Sequence, residues 1–250
     1  MNIISYLCKI SNRKKMNTIL ILIVALLPAV VLWGYVWKKD PQKEPTEQLV
    51  KAVLWGVGVC IPVALVEVGI EAMMFGPEGK PSTLIDTTAV AFFVAALPEE
   101  AFKLLALWLV LRKIPYFDEH FDGIVYAVSV GLGFAAFENI LYVFNEEEWM
   151  SVAITRALLA VPGHYAFAVL MGYYYSLHHF TDRSPRVAVS ILLVPVVAHG
   201  IYDTIAMSGQ VNPIVGGISG YVLIFFCIRM HKFAKRKMLA QIERDGQNDA

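Results

Sequence analysis

Seven long apolar stretches, at roughly 17–37, 50–75, 85–111, 121–144, 153–177, 187–207 and 211–230, constrain this chain more than any motif does. Crossing a bilayer core takes about 20 mostly apolar residues in a helix. A helix also satisfies its own backbone polar groups where no water can. The fold expected is therefore all-α: a polytopic transmembrane helix bundle of about seven spans, forming one integral membrane domain over residues 1–250. A mean hydropathy of +0.58 and a charged fraction of only 17% agree with this and lie outside the range of soluble domains. The connectors are short, with no repeat or low-complexity tract. The first stretch reads as an anchor rather than a signal peptide, because it ends in Trp33, Tyr35 and Trp37 and lacks a small-residue cleavage site.

The Lys and Arg count sets an orientation. Lys38, Lys39, Lys43, Arg112, Lys113, Arg183, Arg186 and the basic tail from Arg229 onward fall on one side, opposite Lys80 and the acidic run Glu146 to Glu148. The positive-inside rule then places the C-terminus, with a basic tail over 231–250 suited to the anionic leaflet, in the cytoplasm. Lys9, Arg13, Lys14 and Lys15 oppose that orientation, and a chain starting at Met16 would avoid the conflict, so residues 1–16 read as an upstream-start extension. A formal net charge of zero with no basic face gives no indication of nucleic acid or of a defined oligomer. Cys8, Cys60 and Cys227 form neither a disulfide framework nor a metal knuckle.

Against this apolar background, Glu99, Glu100, Lys103, Glu138, His164, His199 and Asp203 lie inside four of the expected spans. Each costs about 2.5–3.5 kcal/mol on insertion scales, and helix packing does not need them. Measured from the cytoplasmic end of each span, Glu99, His164 and His199 fall at about 18–20 Å and Glu138 and Asp203 at about 24–26 Å. The expectation is one polar slab just beyond the midplane. Glu99 and Lys103 share a helix face, and His199 and Asp203 stand one turn apart, so a carboxylate can orient an imidazole. Pro98 removes a helical hydrogen bond just before the glutamate pair.

Such a set can activate water for attack on a peptide bond, bind a metal, or pass protons as a coupled transporter does. A catalytically silent membrane scaffold is a further alternative. Blander readings serve elsewhere. Asn139 is read as a cross-helix hydrogen bond, Glu67 and Glu71 as partners of Arg156 or water, and Asp118 to Asp122 as a helix cap. Tyr173, Tyr174, Tyr175, Trp108 and Trp149 read as an interfacial belt.

The order Glu99-Glu100-x-x-Lys103, Phe134-x-x-x-Glu138, His164, His199-x-x-x-Asp203 resembles the PrsW family of intramembrane proteases. Phe121-Asp-Gly-Ile-Val-Tyr, Phe137-Glu-Asn-Ile-Leu-Tyr and Arg156-Ala-Leu-Leu extend the resemblance, which runs from about residue 30 to 235. These proteins are distant relatives of the CAAX prenyl endopeptidases, from which this chain departs by placing Glu138 where they carry His. The resemblance implies an enzyme of a bacterial cytoplasmic membrane that makes a site-1 type cut in a single-pass membrane protein, with anti-sigma factors as the substrate class. Carried over by position, Glu99 or Glu100 is the base and His164 and His199 polarise water or carbonyl. Asp203 orients His199, Glu138 completes the cluster, and Lys103 and Phe134 support it.

This reading commits to no cofactor and leaves zinc possible. Were a metal used, zinc is the ion suited to Glu99, Glu138, His164, His199 and Asp203. No HExxH pair is present, Lys103 adjoins Glu99, and the CAAX analogy points to water held directly by Glu and His, so the metal-free route is favoured.

Overall fold

The computed structural model describes residues 16–76, 79–211 and 213–248. The proposed extension lies almost entirely outside the described residues. Every regular element among those residues is helical. In chain order they are α1 (Met16–Lys39), α2 (Thr46–Phe75), α3 (Leu84–Ala89), a π-helical stretch Val90–Ala96, α4 (Leu97–Leu111) and α5 (His120–Asn145). They continue with α6 (Trp149–Leu158), α7 (Ala160–Ser176), a π-helical stretch Leu177–Thr181, α8 (Pro185–Ser208) and α9 (Pro213–Asn248).

Among the described residues, six helical runs are long and apolar enough to cross a membrane, counting Trp149–Thr181 as one. The seventh expected span, 85–111, is present as a helical run but is broken into α3, a π-helical stretch and α4. Pro98 supplies a physical reason: it has no N–H to donate one turn back. Just before it the ladder widens, and Leu97 N–H bonds Phe92 O, five residues back. Single π turns of this kind commonly mark functional sites.

The bundle is built around α5. Its apolar window is 72% buried, against 11% for α9, so α5 is the axis and α9 faces outward. It packs most extensively on α7 and α2. Glycine permits that proximity: a Cβ on Gly56 of α2 would stand 2.0 Å from the Val130 carbonyl oxygen of α5. Without a hydrophobic drive between helices in lipid, such backbone approach is a main source of packing energy.

The tertiary structure adds a contact to the tail and changes one expectation. The basic tail is a helical continuation of α9 that returns to the bundle: Asp245 accepts from the backbone N–H groups of His120 and Phe121 at 2.8 and 2.9 Å, capping α5. Tyr173 is buried beneath that helix, with Lys237 Nζ 4.2 Å from its ring centre, and so is not a belt residue. Trp108, by contrast, is exposed as a belt residue should be.

Candidate active site

Glu99, Glu100 and Lys103 occupy the first two turns of α4 and are buried, as are His164 on α7 and His199 on α8. Glu138 on α5 and Asp203 on α8 are partly accessible, at 19% and 18% of the side chain. The four helices expected to share one slab do bring their polar groups together.

Lys103 is the hub. Its ammonium donates to Glu99 Oε2 at 2.8 Å and Glu100 Oε1 at 2.9 Å, and it lies 3.2 Å from His164 Nδ1. Phe134, one helix away, presents its ring face 4.1 Å from Nζ. An ammonium carries only donors, so His164 Nδ1 accepts and the ring proton sits on Nε2. That proton points to Glu138 Oε2 at 2.9 Å.

His199 is held from both sides. Nδ1 lies 3.0 Å from Glu100 Oε1 and Nε2 lies 3.2 Å from Asp203 Oδ2, the latter through the one-turn spacing seen in the sequence. Phe167 stacks on its ring at 4.8 Å, and Gly200 lets α8 approach the π-helical stretch, where a Cβ would meet the Phe92 ring at 2.7 Å.

Arg156 plays a part that the linear sequence assigned elsewhere. It pairs with neither Glu67 nor Glu71; its Nη2 donates to Glu138 Oε2 at 2.8 Å and its Nε to Asn139 Oδ1 at 2.9 Å. Asn139 in turn donates to Ala25 O of α1 at 2.7 Å, the cross-helix bond expected of it. A guanidinium in an apolar stretch was itself a signal, obscured because Arg156 lies so near a span end that its depth was ambiguous.

These groups line a cavity of about 490 Å³. Glu99, Glu138, Arg156, His164, His199 and Asp203 face it, together with Glu67 and Glu71, whereas Glu100 and Lys103 do not. Glu99, Glu100, His164 and His199 offer ligand atoms all within 4.8 Å of one another. Glu138 and Asp203, expected among the ligands, instead take the far ring nitrogens of His164 and His199. Glu100 Oε2 is buried without a hydrogen-bond partner among the described residues. Two imidazoles, two carboxylates and that unpartnered oxygen fit a divalent metal ion.

Comparison with known proteins gives a family for the chain. The PrsW family of intramembrane metalloproteases matches residues 44–230. Protease PrsW of Clostridioides difficile (strain 630) is 34% identical over 85% of this chain and 90% of its own length. The Protease PrsW proteins of Oceanobacillus iheyensis and Bacillus subtilis (strain 168) are 33% and 32% identical, over 82% and 74% of this chain and 86% and 82% of their own. No solved structure matches. With a family match across most of its length and a Glu, His and Asp cluster joining four of its helices, the chain belongs to the PrsW family of intramembrane proteases.

Proposed function

We propose that the chain cuts a single-pass membrane protein of the anti-sigma-factor type, in a site-1 cleavage, with Glu99 as the base. The observation that carries this reading is the division of the glutamate pair. Glu99 faces the cavity, while Glu100 lies behind it, held by Lys103 and His199.

In this mechanism a water in the cavity gives a proton to Glu99 as its oxygen attacks the scissile carbonyl carbon. His199 and the guanidinium of Arg156 supply positive charge toward the carbonyl oxygen as it becomes an oxyanion. The C–N bond then breaks, and the proton held by Glu99 passes to the leaving amine. Glu100 and Asp203 position His199, and Glu138 fixes the tautomer of His164. A bound metal would be held by Glu100, His164 and a neutral His199, its charge taking the place of the His199 imidazolium and Glu99 remaining the base, and it would supply a Lewis acid that polarises a carbonyl or acidifies water.

The test is co-expression of a panel of single-pass proteins with the wild-type chain and with Glu99→Gln. A product made only by the wild type supports the reading. A product that persists with Glu99→Gln at equal expression removes Glu99 as base.

A further inference from the structure

Far from the protease cavity, where α1 ends and α2 and α5 begin, a second group of carboxylates is buried. Asp40 and Glu44 lie on the α1–α2 connector, and Glu119 and Asp122 at the start of α5; their exposures are 3%, 7%, 9% and 0%. Part of this arrangement is explained by local structure. Asp122 Oδ2 accepts from the N–H groups of Asp118 and Glu119 at 3.1 and 2.7 Å, as a cap does. Asp40 Oδ2 accepts from Glu44 N–H at 3.3 Å. Tyr126 donates to Glu44 and Gln42 to Glu119.

Capping leaves the other oxygens unexplained. Asp40 Oδ1 and Asp122 Oδ1 are buried with no donor reaching them, the Asp122 carboxyl stands against that of Glu44, and no ion pair reaches Asp40, Glu44 or Asp122 among the described residues. The nearby ammonium, Lys43, is committed to the backbone oxygens of Trp37 and Asp40 and to the Trp37 ring. Carboxylates gathered this closely hold either a shared proton or a cation among them, and the oxygens left without a donor favour a cation.

We propose that Asp40, Glu119 and Asp122, with Glu44 beside them, form a binding site for a hard divalent cation, Ca²⁺ or Mg²⁺, that ties the α1–α2 connector to the start of α5. The three ligand oxygens lie within 4.8 Å of one another. That is inside the ~5 Å that opposite oxygens span at a Ca²⁺–oxygen distance of about 2.3–2.6 Å. The donors are all oxygen, with no thiolate or imidazole in the group, which disfavours zinc and selects hard ions.

Binding is read by terbium luminescence on the chelator-stripped full chain in detergent, with Tb³⁺ as probe and Trp37 and Tyr126 as antennae. Wild type, Asp40→Asn, Glu44→Gln and His199→Ala are compared, each checked for unchanged helical content. The expected result is saturable emission in the wild type and in His199→Ala, weakened more than about tenfold by Asp40→Asn and by Glu44→Gln. Displacement at lower concentration by Ca²⁺ or by Mg²⁺ names the ion. Emission that survives both substitutions, or that His199→Ala abolishes, places the ion elsewhere and overturns the proposal. So does the absence of saturable emission, or a wild-type melting temperature that neither ion raises.

Discussion

Glu138 and Arg156 meet at 2.8 Å across α5 and α6, and the same Glu138 oxygen accepts from His164 at 2.9 Å. One carboxylate thereby fixes both an imidazole tautomer and a guanidinium at the cavity wall. Arg156→Lys keeps the charge but loses the fork that reaches Glu138 and Asn139 together. Its cleavage rate is expected to fall about 10- to 100-fold, with most of the loss in kcat. A double-mutant cycle with Glu138→Gln checks this. Additive losses in the two single variants would mean that the pair does not act as a unit.

Glu99 and Glu100 are expected to separate kinetically. Glu99→Gln removes the base and lowers kcat about 100- to 10,000-fold. Glu100→Gln keeps the hydrogen-bonding shape and leaves Glu99 facing the cavity, so residual activity well above that of Glu99→Gln is expected. Quantitative cleavage assays at matched expression decide it, and the reverse ranking would exchange the two roles.

Removing Lys103 leaves two buried carboxylates without their shared ammonium, a change that costs about 3–5 kcal/mol for buried pairs. Lys103→Met is expected to melt earlier in detergent and to lose cleavage. Adding Glu100→Gln to Lys103→Met removes one of the stranded charges, so stability recovers in part while activity does not. Thermal unfolding of the single and double variants provides the check.

Packing around α5 gives a prediction independent of chemistry. Gly56→Val drives side-chain atoms into the Val130 carbonyl and is expected to cost more than about 1–3 kcal/mol. Gly58→Ala, on the same helix with nothing within 4 Å of an added Cβ, is the control and should leave thermal stability unchanged or slightly raised.

The C-terminal end of α9 is expected in the cytoplasm, with cleavage near the outer boundary of the substrate. Reporter fusions after residue 248 read the first half and mapping of the cut site reads the second. Fusions active only outside would invert both.

Particular residues show where the sequence was readable. A charged side chain in an apolar run is costly whatever surrounds it, so Glu99, Glu138, His164, His199 and Asp203 stood out one by one. Their meeting followed from helical rise and span length alone. Arg156 and Glu67 were harder to place because each lies close to a span boundary, where a shift of one turn changes the neighbours. Tyr173 was misread because three consecutive tyrosines suit a membrane interface equally well as a buried seat for α9.

The sequence by itself determined the helical class, the span lengths, the central polar set and, through Pro98, a break in the α3–α4 run. These depend on local hydrogen bonding and on transfer from water to lipid, both of which act residue by residue. Tertiary structure alone decided the rest: that Glu99 faces the cavity and Glu100 does not, that Arg156 joins Glu138, and that Asp245 returns to cap α5. Those outcomes depend on helix rotation and close approach, which depend on all the neighbouring side chains at once and leave no periodic trace in one chain.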